Sequence, residues 1–172
     1  MIDRAILADL FDRHAAQLVL YARQWLDRAS AEDAVQEIYV RLAQQSAKPL
    51  NPKAWLYRAT RNQAISLSRS SRRRQRHEEF AATDEPWFEP DAPGWVDGAA
   101  ARAAMESLPD AQRETIVLRI WGQMTLKEIA GVTGSSTSTV FDQYRAGLMA
   151  LRTAMGANHG DERFKARRHE GT

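Results

Sequence analysis

Over residues 2–25 apolar side chains recur at Leu7, Leu10, Phe11, Leu18, Tyr21, Ala22 and Trp25, the three-and-four spacing of an amphipathic helix. Ser30 with Asp33 three residues later resembles a capping box, and it opens a second helical stripe at Ala34, Val35, Ile38 and Leu42 that ends near Gln45. The segment SAKPLNP breaks this pattern. Asn51 as cap and Pro52 at the first helical position then start a third helix, which runs through Trp55 and Leu56 toward a run of arginines. These elements predict a three-helix unit over residues 1–77.

Residues 78–97 hold seven acids, no base and Pro86, Pro90 and Pro93, a composition that cannot bury a core of its own and reads as a linker. Trp87, Phe88 and Trp95 inside it are large enough that parts of the linker are expected to dock on a domain. Beyond it, residues 99–107 look helical. Pro109 opens a helix carrying Ile116, Val117 and Ile120 up to Gly122. Thr125 and Glu128 form a capping-box pair before LKEIAGV, TGSS makes a turn, and a last helix is predicted from Thr137 to Met155. Residues 156–172 alternate charge with almost no apolar residues and are expected to be disordered. The fold class is therefore all-α: two small helical domains, 1–77 and 98–155, joined by a flexible acidic linker.

In the second unit Leu126, Ile129 and Ala130 can pack on Val140, Tyr144, Leu148 and Leu151, the layout of a helix-turn-helix. Helical spacing puts Val140, Tyr144, Gly147 and Leu151 inward, with Ser138, Asp142, Arg145 and Met149 outward and Phe141 at the flank. Two capped helices joined by a glycine turn are equally plain bundle architecture, so this segment alone leaves both readings open.

Charge separates them further. The net charge is +2 and the isoelectric point about 9.1, but the distribution is uneven. On the third helix Arg61, Asn62, Arg69, Arg72 and Arg76 fall within about 60° of Arg58, with Leu56, Ala59, Ala64 and Leu67 opposite. Such a stripe neutralises phosphates and releases counterions; the alternative is a solvated surface helix. Trp55 stands near that face, where an aromatic can stack on unpaired bases or simply fill the core. The second helix exposes Glu32, Asp33, Gln36, Glu37 and Arg41, too acidic to lie on DNA and suited to a protein partner or to solvent.

Composition excludes other classes. There is no cysteine, so no disulfide, thiolate zinc site or thiol redox chemistry, and a reducing compartment is favoured. His14, His77, His159 and His169 are scattered without ligand or triad spacing, and no glycine-rich phosphate loop is present. No cofactor, metal or enzymatic activity is expected. The N-terminus interrupts its apolar residues with charges, so no export signal or membrane span is expected and the cytoplasm is the default.

The order AEDAVQEIYVRL, NPKAWLYRATRNQAISLSR, LPDAQRETIVLRIWGQMTLKEIA and a helix-turn-helix closing on GLMALR resembles the extracytoplasmic-function sigma factors, over about residues 4–77 and 98–154. The resemblance implies a factor that directs RNA polymerase to promoters. Helix two would clamp onto the coiled coil of the largest polymerase subunit through Asp33, Gln36, Glu37 and Arg41. The same domain would melt and read the −10 element, with the loop Gln45 to Pro52 capturing a flipped base beside Trp55, Arg58, Arg61, Asn62 and Arg69. The helix-turn-helix would read the −35 element through Arg119, Thr125, Lys127, Ser138, Phe141, Asp142 and Arg145. Family members are often held inactive by an anti-sigma partner wedged between the domains.

Two departures stand out: Phe141 and Gln143 occupy positions usually basic in the family, and Ser66 one usually acidic. Asp142 can accept from a cytosine amino group or pair with Arg145. The competing reading, a dimeric helix-turn-helix regulator acting without polymerase, leaves the acidic second helix and the Trp55 to Asn62 stripe unexplained.

Overall fold

The computed structural model describes residues 2–75 and 98–169. Seven helices run through them, with no strand among the described residues: α1 (Arg4–Ala22), α2 (Arg28–Ala43), α3 (Pro52–Gln75), α4 (Gly98–Glu106), α5 (Asp110–Ile120), α6 (Leu126–Thr133) and α7 (Thr137–His169). The expected linker with its three large aromatics, and Arg76 of the basic stripe, lie outside the described residues.

Helix starts follow local chemistry. Asp3 caps α1 by accepting from the Ala5 amide at 2.7 Å. The expected box of Ser30 with Asp33 is displaced by one turn: Asp27 caps α2, accepting from the Ser30 amide at 2.9 Å and the Ser30 hydroxyl at 2.8 Å. Ser30 thus stands at the third helical position, where orphan amides need an acceptor, rather than at the cap. Asn51 caps α3 as expected, accepting from the Ala54 amide at 2.9 Å. At α6 the full capping box of Thr125 and Glu128 is formed, and Gly134 ends the helix in the left-handed conformation at φ 73°.

α7 continues past Met155 to His169, so residues 156–169, expected to be disordered, are helical, and residues 170–172 of that expected tail lie outside the described residues. Charge alternation is the reason the two outcomes look alike in sequence: no proline interrupts this stretch, and Asp161 and Lys165 stand four apart, a spacing that supports a helix as readily as it solvates a coil.

In the first half α1, α2 and α3 pack pairwise; in the second, α5, α6 and α4 pack on α7. Leu18, Val35, Ile38, Leu42 and Leu56 fill the first core, and Ile116, Leu118, Met124, Ile129 and Val140 the second. The halves also touch, α3 against α6 and α1 against α5, so that their buried residues form one contiguous cluster.

Candidate nucleic-acid interface

The basic face is carried by α3. Leu56, Tyr57, Thr60 and Ala64 are buried on one side, while Arg58, Asn62, Arg69, Arg72 and Arg73 are exposed on the other. Trp55 is partly buried and packs against the core, so it is not a freely presented aromatic. Arg61, Asn62, Ile65, Ser66, Arg69 and Arg73 line an open groove of about 400 Å³. Ile65, out of place in a basic stripe, forms part of the apolar lining of this groove.

Arg61 differs from its neighbours. Its guanidinium donates from Nε to Glu114 Oε1 at 2.7 Å and from Nη2 to Oε2 at 3.4 Å. Tyr21 donates its hydroxyl to the same Oε1 at 2.6 Å. The Glu114 side chain is 8% exposed and that of Arg61 25%. The Arg61 pKa is raised, chiefly by its hydrogen bond to this carboxylate, and the Tyr21 hydroxyl is pushed far up by burial first and by Glu114 second. Sequence reading missed Glu114 altogether.

On α2, Asp33, Gln36, Glu37 and Arg41 all face outward. Glu37 is tied to Arg41 by an ion pair and accepts from Gln63 Nε2 of α3 at 2.8 Å, which fixes the two helices relative to each other. Val40, 56% exposed, sits among these polar groups, and Phe11 of α1, 44% exposed, stands edge-on to Tyr39 of α2. The loop before α3 presents Leu50 fully to solvent. Val40 and Leu50 had not been singled out, because in sequence they belong to no polar motif; Phe11, placed on the apolar stripe of α1, is exposed instead.

The helix-turn-helix is built by two local devices. At the end of α5, Gly122 lies so close to Leu118 that a Cβ would stand 2.5 Å from its carbonyl oxygen, and Gln123 takes a left-handed φ of 47°. Arg119 steadies this turn by donating to the Met124 carbonyl at 2.7 Å while staying on the surface. Thr125 is exposed, but its hydroxyl is engaged with Glu128; Lys127 is exposed at the same end. Ser138, Phe141, Asp142, Arg145 and Met149 line the outer face of α7, with Val140 and Gly147 buried and Tyr144 and Leu151 partly so. Leu148, expected inward, is 39% exposed. The ion pair between Asp142 and Arg145 is not formed among the described residues; between two solvated side chains it offers little to offset their lost freedom. Thr115 on α5 donates to Gln143 Oε1 at 3.2 Å, orienting an amide at the edge of the outward face.

The structure therefore presents three separate surfaces: an acidic one on α2, a basic one on α3, and the outward face of α7 behind α6. The family model for Sigma-70 region 2 matches residues 10–74, and that for Sigma-70 region 4 matches residues 104–153. Two relatives span nearly the whole chain. The ECF RNA polymerase sigma factor RpoE of Cereibacter sphaeroides is 28% identical, over 89% of this chain and 88% of the relative. SigK of Mycobacterium ulcerans, also an ECF sigma factor, is 25% identical, over 91% and 89%.

The chain belongs to the sigma-70 family, in its extracytoplasmic-function group.

This sigma factor binds core RNA polymerase and promoter DNA and directs promoter-specific transcription initiation. Its family is one of transcription regulators. Its fold matches the sigma factor RpoE solved with the anti-sigma factor NepR from Bartonella quintana, at TM-score 0.74 and 21% identity, over 90% of this chain and 98% of that one. It also matches CnrH, solved with the cytosolic domain of CnrY, at TM-score 0.62 and 23% identity over 90% of each chain. Among the described residues no helix is long and apolar enough to cross a membrane, and no cluster of His, Asp or Glu could hold a metal ion.

Proposed function

We propose that the two halves divide the work of initiation. The first domain, residues 1–77, docks on the coiled coil of the largest polymerase subunit through Asp33, Gln36, Glu37 and Arg41, with Val40 as the apolar centre of that contact. It opens and reads the −10 element through the loop before α3 and through Arg58, Arg61, Asn62 and Arg69, with Trp55 as their packed support. The second domain, residues 98–155, reads the −35 element through Lys127, Ser138, Phe141, Asp142 and Arg145, while Arg119 and Thr125 build the turn and cap that aim them. Residues 78–97 link the two.

The observation that carries this reading is the placement of oppositely charged, exposed faces on adjacent helices of one packed unit, α2 acidic and α3 basic. A protein partner and a nucleic acid can engage them together, each without desolvating the charge meant for the other. The factor supplies recognition and no catalytic chemistry, and it works in the cytoplasm with the polymerase. Both solved relatives are complexes with a second protein, NepR or CnrY; this supports an anti-sigma partner for the present chain as well.

Permanganate footprinting of a promoter complex formed with core polymerase tests the division. Thymines of the −10 element become reactive with the wild type. They lose that reactivity in Arg58→Ala/Arg69→Ala while protection of the −35 element persists; equal loss at both elements contradicts the division.

A further inference from the structure

In the docked arrangement, residues assigned to different promoter elements meet. Asn51, in the loop assigned to −10, donates from Nδ2 to Glu128 Oε1 at 3.0 Å, and Thr125, at the start of the helix-turn-helix, donates to Oε2 of the same carboxylate at 2.9 Å. Lys53 reaches the Gln123 carbonyl at 2.9 Å. On a promoter the two elements lie about 25 base pairs apart, roughly 85 Å of duplex. Side chains that share one carboxylate cannot serve both at once. The docked arrangement is a closed state, and the halves must part before both elements are read.

Closure is centred on Glu114, the one buried acid among the described side chains. Its partners are both on the other half: Tyr21, 93 residues away in sequence, and Arg61, 53 away. Within its own helix it has no cation bonded to it. A buried carboxylate without these partners is costly, so the halves are held together wherever Glu114 stays out of water. Arg61 belongs at the same time to the basic face of α3. When it is bonded to Glu114 it cannot neutralise a phosphate, so the carboxylate occupies the place that a DNA phosphate would take.

We propose that Glu114 is an intramolecular latch: it competes with promoter DNA for Arg61 and holds the free sigma factor closed, so that opening accompanies engagement of polymerase and promoter. This rests on the assignment of Arg61 and the surrounding face to promoter binding. The competition gives DNA a differential affinity for the open state, which a ligand needs in order to shift such an equilibrium.

The full chain suits a direct test because it has no cysteine. Nitroxides placed at Asp12→Cys and Glu106→Cys, both exposed and outside the proposed contacts, report the separation of the halves by pulsed electron resonance. Removing one partner of a buried pair strands the other, but Arg61 keeps part of its side chain in water, so the expected shift is modest. Glu114→Ala raises the ratio of long to short distances roughly tenfold. Glu114→Gln, which keeps the shape and the Tyr21 hydrogen bond, raises it by a smaller factor. Binding of free protein to a promoter fragment tightens by the same factors. Circular dichroism melts establish that each variant folds; if Glu114→Ala does not, the isosteric Glu114→Gln decides.

Unchanged distances and unchanged promoter affinity in folded Glu114→Gln and Glu114→Ala overturn the latch. Transcription by wild-type protein with core polymerase, run in parallel, separates the two claims. Promoter-specific starts with an unmoved Glu114→Ala defeat the latch alone. The absence of starts, with no core binding, defeats the sigma reading and with it the competition for DNA, even if the halves separate.

Discussion

Replacing Arg58 and Arg69 together by alanine is a quantitative test of the α3 face. Both guanidinium groups are exposed on one side of α3, and among the described residues neither is bonded to an acid, unlike Arg61. Eleven residues separate them, about 16 Å along the helix axis, so they reach different phosphates. Each phosphate contact contributes about 0.9 to the slope of log K against log salt on duplex and about 0.7 on a single strand. The double variant is therefore expected to flatten the slope by about 1.4–1.8, which at 0.15 M salt is a loss of about 15–30-fold in promoter affinity. Fluorescence anisotropy of a labelled promoter fragment, titrated with holoenzyme at several salt concentrations, measures both quantities. Affinity for core polymerase, whose proposed contact lies on α2, stays unchanged. A slope that matches the wild type, or a parallel fall in core affinity, refutes the assignment of this face to DNA.

Thr125→Ala removes the side-chain cap of α6 and is expected to cost about 1 kcal/mol, read as a lowered denaturant midpoint with unchanged m-value; Thr125→Ser restores most of it. Gly147→Ala places a Cβ 2.7 Å from Ile116 Cδ1 and 3.3 Å from Gln112 Cβ, an overpacking expected to destabilise by about 1–3 kcal/mol. Adding Ile116→Val recovers part of that loss, so the pair is non-additive in a double-mutant cycle; strict additivity contradicts direct packing of α7 on α5. Asp27 and Glu128 are held below their ordinary values of 3.8 and 4.5, chiefly by the backbone amides of Ser30 and Thr125. A carboxylate with a depressed folded pKa stabilises the protein above its unfolded value and ceases to do so as pH falls through the folded one. The melting temperature should therefore decline on acidification below about pH 4.5, and Asp27→Asn/Glu128→Gln should show a shallower decline than wild type; equal slopes contradict the capping roles.

Much of the helical scaffold was legible because its signals are local. Asn51 with Pro52, the Thr125–Glu128 box and the alternation of buried and exposed positions on α7 each depend on neighbours within about a turn, and the structure forms each as the sequence suggests except at Leu148, which turns outward. The start of α2 was placed late because Asp27 and Ser30 are both good caps, and only the backbone decides between them. The end of α7 was placed early because solvated charge does not distinguish a helix from a coil.

What could not be read was the contact between the halves. Glu114 follows an arginine in a polar stretch and looks like any solvated acid; its burial depends on Tyr21 and Arg61, each remote in sequence. For the same reason Arg61 looked equivalent to Arg58 and Arg69 on the helical projection, although among the described residues it alone of the three is bonded to a carboxylate. Val40 stands outside the apolar stripe of α2, and the helical period turns it outward beside Glu37 and Arg41.

Transcription in vitro on genomic DNA fragments, with and without this factor, measures directly whether it confers promoter choice on core polymerase. New start sites that share two spaced upstream motifs are expected only when core polymerase and this factor are both present. No new starts, together with no one-to-one binding to core polymerase, would contradict that role.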